Sequence, residues 1–182
     1  MTKKDTKIVT AGRKAQWTTG VVNPAVVRAS TVVFDTVKDM NQALVNKHNN
    51  AMVYGRRGTT TAFAFSDAMT ELEGGAGCAL YPSGTAAITN AILSFVKTGD
   101  HILMLDSAYE PTRDYCDNIL ANLGIETTYY DPMIGAGIEA LIQPNTRIVF
   151  LESPGSITME VQDVRAIAKV AHQHDCIVIL DN

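Results

Sequence analysis

From Thr60 onward the apolar positions follow a regular alternation. Ala62–Leu72 has helical spacing and runs into Gly74-Gly75, which stops a helix. Beyond it come short apolar runs of strand length: Cys78–Tyr81, His101–Leu105, Ile125–Tyr130, Arg147–Leu151 and Cys176–Leu180. Amphipathic stretches of helix length separate them: Thr85–Val96, Glu110–Leu123, Gly137–Ile142 and Val161–His172. Nearly continuous apolar strands alternating with helices predict an α/β domain, with a mostly parallel sheet and helices on both faces. Residues 1–58 are different. They show little periodicity, and the polar stretch Asn41–Asn50 leads into Tyr54-Gly55-Arg56-Arg57-Gly58-Thr59. This part is expected to be an extended N-terminal arm with one short helix near Val37–Lys47, followed by an α/β domain over 59–182.

In open α/β sheets, ligands bind beyond the carboxyl ends of the strands. The first expected strand is followed by Pro82-Ser83-Gly84-Thr85 and the second by Asp106-Ser107-Ala108-Tyr109. Glu152-Ser153-Pro154-Gly155-Ser156 follows the fourth and Asp181-Asn182 the last. Each tip has two readings. Ser83-Gly84-Thr85 is either a phosphate cradle at a helix start or a serine N-cap in a tight turn. Tyr109 either stacks on a planar ligand or is a half-exposed loop tyrosine. Asp181 either pairs with a cationic ring nitrogen or caps a following helix. Arg56 and Arg57 either reach a phosphate or form a solvated charge pair. Together, on one edge, the ligand readings describe a phosphate, an aromatic ring and a cationic nitrogen.

Composition narrows the classes. The 182 residues are 46% hydrophobic and 19% charged, with a net charge of -4. That balance gives no electrostatic reason to expect nucleic acid or an anionic membrane as partner. No apolar run approaches the roughly 18 residues of a membrane span. The three cysteines, Cys78, Cys116 and Cys176, are widely and irregularly spaced, which fits neither a disulfide framework nor a zinc site. Cys78 and Cys176 lie in apolar runs and are expected to be buried, unreactive thiols in a reducing cytoplasm. No metal ligand set is expected.

Five strings occur in order along the chain: Tyr54–Thr59 (YGRRGT), Glu71–Gly84 (ELEGGAGCALYPSG), Ala108–Pro111 (AYEP), Leu151–Val161 (LESPGSITMEV) and Ile179–Asn182 (ILDN). They resemble successive blocks of the transsulfuration family of pyridoxal 5'-phosphate (PLP) enzymes, in particular its cystathionine β-lyase branch. Members of the γ-synthase and γ-lyase branches usually carry Asn-Pro where this chain has Ser156-Ile157. The resemblance implies an aspartate-aminotransferase-type large domain (PLP fold type I). It also implies roles. Backbone N–H groups of Gly84 and Thr85 would hold the PLP phosphate, Tyr109 would stack on the pyridine ring in the catalytic centre, and Asp181 would pair with the ring nitrogen. Tyr54 and Arg56 would reach the phosphate of a neighbouring subunit, which requires a homodimer or homotetramer. The substrate implied is L-cystathionine, split by β-elimination into homocysteine, pyruvate and ammonia, a step of methionine biosynthesis.

The chain departs from that pattern in one respect. The family's cofactor-holding lysine lies well beyond the Asp181 strand, and this sequence has no lysine after Lys169, itself expected on the solvated face of a helix. The 182 residues are therefore expected to be an inactive N-terminal piece, lacking the rest of the PLP domain and the C-terminal domain. Two rivals remain: a γ-lyase, γ-synthase or cysteine-S-conjugate lyase of the same family, and a non-catalytic phosphate-ligand or interaction module.

Overall fold

The computed structural model describes residues 3–47 and 49–182. Two compact units are present, one up to Leu80 and one from Tyr81 to Asn182.

In the first unit, helices α1 (Lys4–Thr10), α2 (Ala15–Thr18) and α3 (Val37–Val45) precede a 3-10 turn at Gly55–Arg57 and the long helix α4 (Thr60–Glu73). α3 matches the expected helix and starts where Thr36 Oγ1 accepts the Asp39 N–H at 3.1 Å. α4 ends at Gly74, whose left-handed φ of 69° suits glycine. α1 and α2 were not expected, since helices of seven and four residues are too short for a readable periodicity. Distant contacts hold α2. Trp17 Nε1 donates to Asp67 Oδ2 at 2.7 Å, and the Trp17 ring lies 5.4 Å from Phe63. Lys14 Nζ reaches the same Asp67 oxygen at 2.7 Å. Burial works against the Asp67 charge, but the hydrogen bonds from Lys14 and Trp17 outweigh it and hold the carboxyl below its ordinary value.

The segment before the 3-10 turn is tied down as well. Val27 N–H donates to Thr61 Oγ1 at 2.8 Å, Thr61 Oγ1 donates to the Ala25 carbonyl at 2.7 Å, and Gly55 N–H donates to the Ser30 carbonyl at 2.7 Å. The stretch expected as an extended arm is thus partly helical and partly bonded to α4 of its own unit. The strand expected at Cys78–Tyr81 does not form. That run has no ladder partner among the described residues, Leu80 and Tyr81 are each 43% exposed, and Cys78 is only half-buried. Four apolar residues after a glycine-rich turn satisfied the strand pattern without the burial that stabilises one. Cys176 is buried as expected.

The second unit contains α5 (Gly84–Leu93), β1 (His101–Leu105), α6 (Glu110–Asp114), β2 (Glu126–Tyr130), a 3-10 segment at Gly135–Leu141, β3 (Thr146–Glu152), α7 (Val164–Gln173) and β4 (Ile177–Asp181). α6 passes directly into a π-helical turn, Tyr115–Leu120, within the stretch expected as one helix. All strand pairs are parallel, in the order β2-β1-β3-β4. β1 is wholly buried and β3 nearly so, as their unbroken apolar sequences require of central strands.

The order has a consequence. The chain leaves β1 to one side to form β2, then crosses back over β1 to form β3. Right-handed crossovers place the connections of these two moves on opposite faces of the sheet. Accordingly, α7 packs against the 3-10 segment, and α5 packs against α6. Reversal between β1 and β3 makes this the topological switch point, where the strand-end loops diverge and leave a crevice.

At the other end of the sheet, His101 is fully buried. Its Nδ1 lies 2.7 Å from Thr146 Oγ1 and its Nε2 2.9 Å from Thr128 Oγ1, so one ring clasps three strands. Among the described residues, no helix is long and apolar enough to cross a membrane.

Candidate cofactor site

The site begins at the start of α5. Ser83 is the N-cap, with extended backbone, and its Oγ accepts the Ala86 N–H at 3.1 Å. The N–H groups of Gly84 and Thr85 are left without a partner among the described residues, as the geometry of a helix start dictates. A Cβ placed on Gly84 would meet nothing within 4 Å, so this turn faces open space. Two free N–H groups at the positive end of a ten-residue helix favour an anion.

β4 delivers Asp181 to the same end of the sheet. Its carboxylate has no hydrogen-bond partner among the described residues, and burial pushes its pKa above the ordinary aspartate value. It borders a small cavity of about 190 Å³, lined otherwise by Ala87, Ile88 and Ala91 of α5 and by Phe150, Ile179 and Leu180. A lone carboxylate on an apolar hollow is stabilised in its charged form by a cation or a hydrogen-bond donor brought to it. A protonated ring nitrogen on a flat heterocycle has the required chemistry.

Tyr109 precedes α6 and is 48% exposed. Its backbone N–H donates to Glu152 Oε2 at 2.9 Å, and Glu152 is the register partner of Asp181. Burial raises the Glu152 pKa most, the Tyr109 N–H opposes this, and the Asp181 charge adds to the rise. Tyr109 and Asp181 are therefore linked through one carboxylate at the ends of β3 and β4.

Sequence reasoning missed the brace behind this arrangement. Gln162 is buried, and its Oε1 accepts the Glu152 N–H at 3.2 Å. Its Nε2 lies 3.4 Å from both the Tyr130 hydroxyl and the Pro132 carbonyl, and its own N–H donates to Ser153 Oγ at 3.0 Å. A glutamine just before an amphipathic helix carries no pattern that marks it. Glu152 was read only as part of a polar loop, although a carboxylate ending a buried strand was a usable signal.

Tyr54 and Arg56 belong to the first unit. Tyr54 is partly exposed, with the Arg56 guanidinium 5.7 Å from its ring centroid, and Arg56 and Arg57 border a cavity with Lys47 and Asn50. Lys169 is exposed on α7, on the face where the sequence placed it.

The donor set of the second unit thus fits a phosphate at α5 and a cationic ring nitrogen at Asp181. Family comparison agrees with that chemistry: residues 5–182 match the model of the Cys/Met metabolism PLP-dependent enzymes. The chain belongs to that family. A cystathionine beta-lyase of Escherichia coli (strain K12) is 53% identical over 182 residues, covering 99% of this chain and 46% of that protein. The cystathionine beta-lyase of Haemophilus influenzae is 50% identical over 179 residues, covering 97% of this chain and 45% of its own. Among solved structures, a cystathionine gamma-lyase from Lactobacillus plantarum complexed with L-serine superposes with a TM-score of 0.85 at 30% identity, covering 100% of this chain and 45% of that one. The fold is accordingly that of the PLP fold type I enzymes. This family member spans about half the length of the relatives it matches.

Proposed function

We propose that the protein carrying this chain is a PLP-dependent carbon–sulfur lyase that cleaves L-cystathionine by β-elimination, giving homocysteine, pyruvate and ammonia for methionine biosynthesis. The observation that carries the reading is the pairing of an anion-ready helix start with an unpartnered carboxylate, in a chain half identical to cystathionine beta-lyases.

In this reading the N–H groups of Gly84 and Thr85 hold the cofactor phosphate. Tyr109 presents its ring to one face of the pyridine. Asp181 would pair with the ring nitrogen and keep it protonated. PLP, when bound, supplies an electron sink for the pair left at the substrate Cα after its proton is removed. The apolar lining beside Asp181 (Phe150, Ile179) lowers the local polarity and would strengthen the ion pair. Tyr54 and Arg56 reach the phosphate site of a neighbouring subunit, so the working form is a homodimer or homotetramer. Operation in the cytoplasm belongs to the same proposal.

Product analysis with L-cystathionine tests it. Pyruvate and homocysteine are expected. Recovery of 2-oxobutyrate and cysteine would reassign the protein to γ-elimination, and no turnover by a PLP-loaded protein that carries this chain together with the cofactor-holding lysine would overturn the lyase reading.

A further inference from the structure

We infer that Glu152 is a positioning residue for the cofactor site, its carboxylate fixing the backbone of Tyr109 so that the tyrosine ring stands where a flat ring binds. This deepens the reading above and rests on Tyr109 being the stacking residue.

The two ends of the link are held differently. Glu152 closes β3. Its N–H is taken by Gln162, and the next residue's N–H bonds to the Asp181 carbonyl at 3.2 Å, so its backbone is held on two sides. The loop that carries Tyr109 is anchored up to Ala108, with Ser156 N–H donating to the Ser107 carbonyl at 2.8 Å and Arg113 paired with Asp106 at 3.0 Å. Asp106 N–H also reaches the Tyr130 carbonyl at 2.9 Å, and Ala108 N–H turns back to Leu105 at 3.2 Å. Beyond that point the Tyr109 N–H has no backbone acceptor, and the Glu152 carboxylate supplies one at 2.9 Å. The Tyr109 carbonyl is meanwhile committed to the first turn of α6, accepting from Thr112 at 2.9 Å. Glu152 thus fixes the direction in which the residue enters α6, and with it the root of the exposed ring. A hydrogen bond to a charged acceptor is stronger than a neutral one. The register pairing with Asp181 means that the same strand ends set the two groups expected on the ring's face and at its nitrogen.

The test is a titration of the cofactor-free protein with PLP, followed by absorbance, in four variants. Glu152→Ala is expected to weaken binding about tenfold, the scale of one lost charge-assisted hydrogen bond. Glu152→Gln keeps an acceptor at the same place and is expected to remain within about twofold of the parent. In a Tyr109→Ala background the further change Glu152→Ala is expected to cost less than about twofold, because the ring it positions is gone. A chain that merely loosened on losing Glu152 would show neither the rescue by glutamine nor the non-additivity. Should Glu152→Ala not fold, Glu152→Met keeps the bulk, removes the acceptor, and carries the same expectations. Losses in Glu152→Gln equal to those in Glu152→Ala, or full additivity with Tyr109→Ala, overturn the inference while leaving the cofactor reading intact. A parent protein that takes up no PLP overturns that reading and this inference together.

Discussion

The two units of the chain are stabilised by different means. In the second, adjacent strands β1 and β3 are buried along almost their whole length, and Phe150, Leu103 and Ile148 are fully enclosed. In the first, order depends on a few polar clasps. Asp67 takes Lys14 and Trp17, and Thr61 and Ser30 hold the passing backbone, while Val33 remains 91% exposed and Val26 78%. Burial writes itself into a sequence as a run of apolar residues. A clasp between residues 50 positions apart leaves no local trace.

The comparison can be tested by substitution. Phe150→Ala should cost the most, about 3–5 kcal/mol by urea unfolding, because a fully packed ring leaves a cavity. A loss near zero would mean that the second unit does not depend on this core. Asp67→Ala should cost about 1–3 kcal/mol, since the Trp17 N–H loses its acceptor. It should also accelerate amide exchange selectively around residues 14–18. Uniform exchange across the chain would erase the distinction between clasped and packed regions. Asp163→Ala removes the Oδ1 that accepts the Ala166 N–H at 3.0 Å, and should cost about 1 kcal/mol as a lost N-cap.

A pH series sharpens the picture for the second unit. Burial, only partly opposed by Glu126, lowers the His101 pKa from its ordinary 6.5. The unfolded chain therefore takes up this proton first. The neutral ring's contribution is complete above about pH 6.5 and is lost as pH falls toward the folded pKa. Urea midpoints should decline over that interval in the parent and not in His101→Gln. The smallest effect belongs to the first unit: Val33→Ser should change stability by less than about 0.5 kcal/mol, as for an exposed side chain. A larger loss that grows with protein concentration would show another copy covering Val33.

The same contrast explains what was legible beforehand. β1 was read to the residue, and β2, β3 and β4 to within one, the apolar runs of β1, β3 and β4 and the β-prone threonines and tyrosines of β2 carrying the signal. Gly84, Thr85, Tyr109 and Asp181 were singled out as candidates because each stands at the start or end of an element, which is a property of sequence position. Cys78–Tyr81 failed because an apolar run reports composition, whereas a strand needs a neighbour. α2, Gln162 and the Glu152–Tyr109 bond were invisible because each depends on partners distant in the chain. The division of labour inside the site follows: residues expected to meet the ligand were legible, and those that hold them were not.

The packing of Gly155 has a further consequence. A Cβ there would come within 2.4 Å of Ser107 Oγ, while the Ser156 N–H already bonds the Ser107 carbonyl at 2.8 Å. Positions 107 and 155 therefore share one parcel of space, although 48 residues separate them along the sequence. An atom added at 155 forces the Ser107 hydroxyl to move. A change in the loop beyond β3 is therefore felt in the loop beyond β1, like the two leaves of one hinge.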